Sequence, residues 1–267
     1  MRVLIVGHGV VGKNLEKELK ALDPDIYDKY KPEDNRIDLD ALEENGGMHD
    51  IAFICVDTPR TAEKVCDCTE VYNAVQQTKA DVIVIKSTVL PGMTERIAEE
   101  TGKNVIFSPE YYGGTQHCNN FLFDFTILGG EKESCIKVVQ ALQKVYDGRH
   151  QFRITDARTA ELVKYMENSF LATKVSFCQQ FFFIAESLGV EYEELRELFV
   201  LDPRVNPSHT FVDREKPYWD SHCLNKDVPA IAEVTGADLL RSVVEFNERT
   251  KNGNRAESGE SRESQFC

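Results

Sequence analysis

"RVLIVGHGVVG", residues 2–12, decides the fold. Its first half is a run of branched apolar residues, the composition of a strand buried on both faces. Its second half places glycines at 7, 9 and 12, where a strand would turn into a helix. In a dinucleotide-binding turn the first glycine permits the tight bend and the second lets the backbone approach a pyrophosphate. The third lets helix and strand pack closely. A helix opening at Val10 and Val11 would then offer free N–H groups to the anion. The alternative is a glycine turn in a sheet that binds nothing. The second strand reads IYD (26–28), which puts Asp28 where a carboxylate accepts from both ribose hydroxyls. That favours NAD over NADP, whose extra phosphate the carboxylate repels, although Lys29 and Lys31 weigh slightly the other way.

Outward from this turn, apolar runs recur at DIAFICV (50–56), DVIVIKS (81–87), NVIFSP (104–109) and FTILGG (125–130). Amphipathic segments separate them, at 14–22, 61–75, 92–100 and 133–146. Strands alternating with helices predict a Rossmann-like, doubly wound parallel sheet over residues 1–155. From Ala157 to Leu188 the strand signal is absent. Val163, Met166, Phe170, Phe177, Phe181 and Ile184 recur at helical spacing, and Gly189 supplies a stop. A short helix (191–199), an irregular loop (201–221) and a last helical stretch (228–250) complete an all-α domain over 156–250. The polar tail 251–267 reads as disordered.

The chain has 267 residues, eight cysteines and a formal net charge of −14. Such acidity disfavours nucleic acid as a partner, and no apolar run is long enough for a membrane span. The N-terminus enters a strand with no leader ahead of it, so the cysteines suggest a reducing cytoplasm rather than a disulfide framework. No Cys/His spacing suggests a metal. Six residues stand out as candidates for chemistry. Lys164 and Asn168 are four apart on the long helix and so share a face. Thr88 (in KSTVLPG) and Glu110 (in SPEYYGG) follow strand ends, where such sheets bind ligands. Cys223 and Asp227 share a face if the next helix begins here, although Asp227 could equally be its N-cap.

Taken together, GHGVVG, CVDTP (55–59), KSTVLPG (86–92), SPEYYG (108–113), AELVKYMENSFLATKVSF (160–177), DPRV (202–205) and Cys-x-x-Lys-Asp (223–227) resemble the UDP-glucose/GDP-mannose dehydrogenases. The resemblance covers residues 1–250. It implies NAD-dependent oxidation of the primary alcohol of a nucleotide sugar to a carboxylate, with Cys223 as nucleophile. In that reading Lys164 and Asn168 stabilise the oxyanion, Asp227 and a water held by Thr88 manage protons, and Glu110 assists thioester hydrolysis. The cofactor would contact Gly7, Gly9, Val10, Val11, Gly12, Asp28, Val56, Thr58, Thr88 and Lys226. The sugar nucleotide would contact Glu110, Tyr111, Lys164, Asn168 and Trp219. Arg204 would serve the substrate of a partner subunit, in a homodimer built on the long helix.

Three departures stand against the pattern. The family's Gly-Phe-Gly-Gly-x-Cys loop is replaced by Tyr218, Trp219, Asp220, Ser221 and His222 ahead of Cys223. Gly114 stands where a second glutamate is usual. The C-terminal α/β domain that grips the nucleotide does not follow residue 250. Two rival readings therefore stay in view. One is a two-electron hydroxy-acid or alcohol dehydrogenase of the β-hydroxyacid type, which also uses a helix-borne Lys and Asn. The other is a degenerate NAD-binding subunit that needs a partner.

Overall fold

A computed structural model describes residues 1–37, 48–61, 65–112 and 123–253. Gly114 and residues 254–267 of the tail lie outside these. Seven strands form one sheet: β1 (Val3–Val6), β2 (Asp25–Tyr27), β3 (His49–Ile54), β4 (Ala80–Ile85), β5 (Val105–Phe107), β6 (Phe125–Gly129) and β7 (Gln151–Thr155). Their spatial order is β2-β1-β3-β4-β5-β6-β7. The first five strands pair in parallel. β6 meets β5 antiparallel through Phe107 and Gly129, and β7 runs parallel to β6. The sheet is therefore mostly parallel, with a reversal at β6 that the apolar runs did not announce.

The sheet core forms because the strands carry Val3, Ile5, Ile51, Phe53, Val82, Val84 and Ile106 against Leu15 and Leu19 of the first helical segment. Helices α1 (Val10–Glu18), α2 (Thr69–Gln77), α3 (Met93–Thr101) and α4 (Lys132–Leu142) alternate with the strands. Helix α2 starts later than the sequence reading of 61–75; Arg60 and Cys66 pair as an isolated bridge ahead of it. Because β1 connects to β2 on one side and has β3 on the other, the strand order reverses at β1. Ligands of such sheets bind beyond the strand ends at this reversal.

The second part begins with α5, which runs from Ala157 to Leu188 as its periodicity predicts. The chain divides into two compact units, Met1–Met166 and Glu167–Cys267, so the division falls inside α5 rather than ahead of it. The first turns of α5 belong to the sheet unit for a physical reason. Glu161, fully buried, accepts from the N–H groups of Gly92 (2.5 Å) and Thr94 (2.8 Å) and so satisfies the start of α3.

In the second unit α5 is followed by α6 (Tyr192–Phe199), α7 (His222–Thr235) and α8 (Asp238–Lys251). The continuous helix expected over 228–250 is two helices. Gly236 breaks it in a left-handed conformation at φ 68°. The apolar stripe of α5 is also not a core stripe. Phe170, Phe177, Phe181 and Ile184 are exposed, while Ala172, Cys178, Phe182 and Ala185 on the opposite side are buried.

Candidate active site

In the first unit a cavity of about 340 Å³ lies at the ends of β1, β2 and β3, lined among others by Gly7, Gly9, Asp28, Tyr30, Lys31 and Val56. The glycines explain its shape. A Cβ at Gly7 would stand 2.7 Å from the Cys55 carbonyl oxygen, and one at Gly12 would stand 2.0 Å from the Gly7 oxygen. Gly9 faces open space with no atom within 4 Å of a would-be Cβ. Two glycines are thus required by packing, and the third leaves room for an approaching phosphate. Asp28 is buried, and its carboxylate accepts from the N–H groups of His8 (2.6 Å) and Tyr30 (2.8 Å). Its placement at the rim fits a ribose contact, and the cradle as a whole fits a dinucleotide.

The remaining residues expected to touch the cofactor take differing positions. Val10 is exposed at the start of α1, and Val11 packs against the sheet core. Thr58 and Thr88 are buried, Thr58 lying between the cavity-lining Asp57 and Pro59. Ser87 donates to the Val56 carbonyl at 2.6 Å, which ties the end of β4 to the cavity-lining end of β3.

A second group in the same unit assembles where β4 and β5 end. Glu110 is 7% exposed, and its carboxylate accepts from the Tyr112 N–H at 2.8 Å and lies 3.6 Å from the Lys164 ammonium. Lys164 also stands 5.3 Å from the centre of the Tyr111 ring. Beneath them lies Lys86, which sequence reading passed over. Its ammonium donates to the Ser108 hydroxyl (3.2 Å) and the Pro109 carbonyl (3.1 Å), fixing the backbone that presents Glu110. Burial holds Lys86 below the ordinary lysine range, opposed by the nearby Cys55 and Glu110. A lysine ending an otherwise apolar strand run was the available signal.

In the second unit Cys223 and Asp227 lie one turn apart on α7. The helix starts at His222, with the Ser221 hydroxyl accepting from the Leu224 N–H at 3.1 Å. Ser221 is therefore the N-cap, and the alternative that assigned this role to Asp227 is corrected. Cys223 sits in the first turn, where unpaired N–H groups favour an anion. Among the described cysteines it alone is partly exposed; the other five are buried. Burial pushes the Cys55 thiol up to about 12 and that of Cys135 up to about 11, as suits core residues. Asp227, 1% exposed, accepts from the Asn168 amide at 2.6 Å. The Lys226 ammonium stands 2.7 Å from its other oxygen, out of hydrogen-bond alignment.

The residues that replace the glycine-rich loop have structural work. Trp219 is 6% exposed in a core with Ala172, Leu224, Val228, Val243 and Val244, and its indole N–H donates to Ser176 at 2.9 Å. This is a packing role. Asn247 clamps the Trp219 backbone from both sides, at 2.8 and 2.9 Å. Asp220 takes Lys251 (2.6 Å) and Asn225 (2.7 Å). Arg204 is exposed and paired with Asp202, which it holds below the usual carboxylate range. Among the described residues no cluster could hold a metal, and no helix is long and apolar enough to cross a membrane.

Residues 6–148 match the NAD binding domain of the UDP-glucose/GDP-mannose dehydrogenase family, and residues 158–249 match its central domain. A UDP-N-acetyl-D-mannosamine dehydrogenase of Methanocaldococcus jannaschii is 29% identical over 74% of this chain and 48% of its own length. A UDP-glucose 6-dehydrogenase of Bacillus subtilis is 29% identical over 80% of this chain and 52% of its own. The solved UDP-glucose dehydrogenase of Pyrobaculum islandicum superimposes with a TM-score of 0.74 at 26% identity, over 92% of this chain and 68% of that one. A Pyrococcus horikoshii structure, titled as a UDP-ManNAc dehydrogenase, gives 0.77 at 24% identity over 93% and 68%, a likeness of fold. This chain spans about half the length of the curated relatives it matches. The cofactor for which the cradle is built is NAD. With both domains matched across most of its length, the chain belongs to the UDP-glucose/GDP-mannose dehydrogenase family.

Proposed function

We propose that the chain carries the cofactor site and the nucleophile of an NAD-dependent nucleotide-sugar 6-dehydrogenase, oxidising the primary alcohol of a UDP-glucose-like substrate to a uronate. The observation that carries this reading is Cys223, partly exposed in the first turn of α7 and one turn from buried Asp227. A two-electron dehydrogenase has no use for such a thiol. NAD, when bound, accepts the hydride given up at each of the two oxidations. At the first, Asp227 and a water held by Thr88 manage the proton that the alcohol gives up. The Cys223 thiolate adds to the resulting aldehyde carbon, and the oxyanion is stabilised by Lys164 and Asn168; one such contact contributes about 3 kcal/mol to lowering the barrier. Loss of a second hydride leaves a thioester on Cys223, which water hydrolyses with Glu110 assisting.

The substrate class follows the relatives, which act on UDP-glucose or UDP-N-acetyl-D-mannosamine. The same reading makes the chain a homodimer through α5. Phe170, Phe177 and Phe181 are exposed on it, Phe177 and Phe181 with ring centres 4.8 Å apart, and Phe199 of α6 extends the patch. A second copy burying this stripe would supply the apolar centre that a stable interface requires, and exposed Arg204 would reach the partner's substrate.

The test is a covalent trap. Glu110→Gln protein incubated with NAD and UDP-glucose or UDP-N-acetyl-D-mannosamine should accumulate a uronyl adduct on the Cys223 peptide, read by mass spectrometry. An adduct on no peptide, with NADH nevertheless formed, would refute the thioester route.

A further inference from the structure

His8, the residue between the first two glycines of the phosphate turn, makes more polar contacts than its place in the fingerprint requires. Its ring is buried, with Nδ1 2.8 Å from an Asp34 oxygen and Nε2 2.8 Å from a Glu16 oxygen. Its N–H donates to Asp28, the carboxylate at the rim of the cofactor cavity, at 2.6 Å. Its carbonyl accepts from Lys31 at 3.1 Å. Asp34 belongs to a single 3₁₀ turn, Pro32–Asp34, in the segment after β2, and the side chain of Asn35 in that segment accepts from the Asp28 N–H at 2.6 Å. One residue thus braces the phosphate turn, helix α1 and the segment that carries the ribose-binding carboxylate and the cavity-lining residues Lys29, Tyr30 and Lys31.

A neutral imidazole has one N–H and one lone pair. Between two carboxylates it would donate to one and turn its lone pair on the other. Only the imidazolium donates to both, and each contact is then charge-assisted. Around these contacts Lys13 of α1 stands 3.6 Å from Asp34, and Arg36 pairs with Glu16.

We propose that His8 is a positioning residue for NAD, acting as a cross-brace that holds the Asp28 segment in its cofactor-receiving conformation. The proposal rests on the NAD site itself and goes beyond it: the brace is complete when both ring nitrogens meet their carboxylates.

The experiment is NADH binding by fluorescence titration of the full chain at neutral pH. His8→Leu keeps the bulk of the ring and removes both ring contacts, and should raise the dissociation constant about tenfold, the consequence of one lost charge-assisted bond. The paired change Glu16→Ala with Asp34→Ala should raise it by a similar factor. In that background His8→Leu should add about twofold or less, because the contacts it removes are already gone. No change in His8→Leu, or the same tenfold rise in both backgrounds, would overturn the proposal while leaving the NAD site in place. Absence of NADH binding to the unmodified protein would overturn the cofactor reading together with it.

Discussion

Replacing Asp227 with asparagine keeps the volume of the side chain and removes its charge. The carboxylate is 1% exposed, with the ammonium of Lys226, itself 9% exposed, 2.7 Å away. Removing one member of a buried pair costs about 3–5 kcal/mol, mainly because the other charge is left in a poor solvent. The small exposure of Lys226 favours the lower end. At about 3 kcal/mol, a protein of this size should lose roughly 6–12 °C in its unfolding midpoint. The Asn168 amide can still meet the new side chain, so the loss should trace to Lys226. Lys226→Met made in the Asp227→Asn background should therefore recover much of the stability. Calorimetry of the two variants and the unmodified protein at neutral pH checks this. A midpoint moved by no more than about 1 °C in Asp227→Asn would place the pair in the weak class of exposed ion pairs and refute the argument.

Three further outcomes follow from other contacts. Glu161→Ala leaves the N–H groups of Gly92 and Thr94 without their acceptor and should cost about 2–4 kcal/mol, measurable by urea unfolding, while Glu161→Gln should cost less. If the proposed homodimer forms through α5, the double change Phe177→Glu with Phe181→Glu should halve the mass measured by light scattering without lowering the unfolding midpoint. Glu16 and Asp34 are both held below the ordinary carboxylate range, chiefly by their hydrogen bonds to His8. Their contribution is present above the unfolded-state values and lost as pH falls through the lowered ones. Amides of Val10–Glu18 and of the segment after β2 should therefore lose exchange protection in acid ahead of the sheet core.

The cofactor half was legible because backbone sterics dictate it. Gly7 and Gly12 have no room for a Cβ, and sequence shows glycine wherever that is so. Helix α5 was legible from its period, but the period could not say which side is covered. Phe177 and Cys178 look equally apolar in sequence, and only packing separates the exposed ring from the buried thiol. β7 escaped because an edge strand with exposed Gln151 and Arg153 carries no apolar run. The break at Gly236 escaped because apolar spacing resumes after it. That Trp219 packs against Ala172 and Val243 was not legible either, because its place in a family loop says nothing of the neighbours that distant segments supply. His8 and Lys86 stood in quoted stretches, but their significance lies in carboxylates and carbonyls distant in the chain.

The central claim is a four-electron oxidation carried by Cys223, and counting electrons tests it most directly. NADH formed per sugar consumed, followed by absorbance with UDP-glucose or UDP-N-acetyl-D-mannosamine, should be about two, as covalent capture of the aldehyde requires. In Cys223→Ser it should fall to one or to none. A ratio of one in the unmodified protein, unchanged by Cys223→Ser, would contradict the account and leave a simple two-electron dehydrogenase.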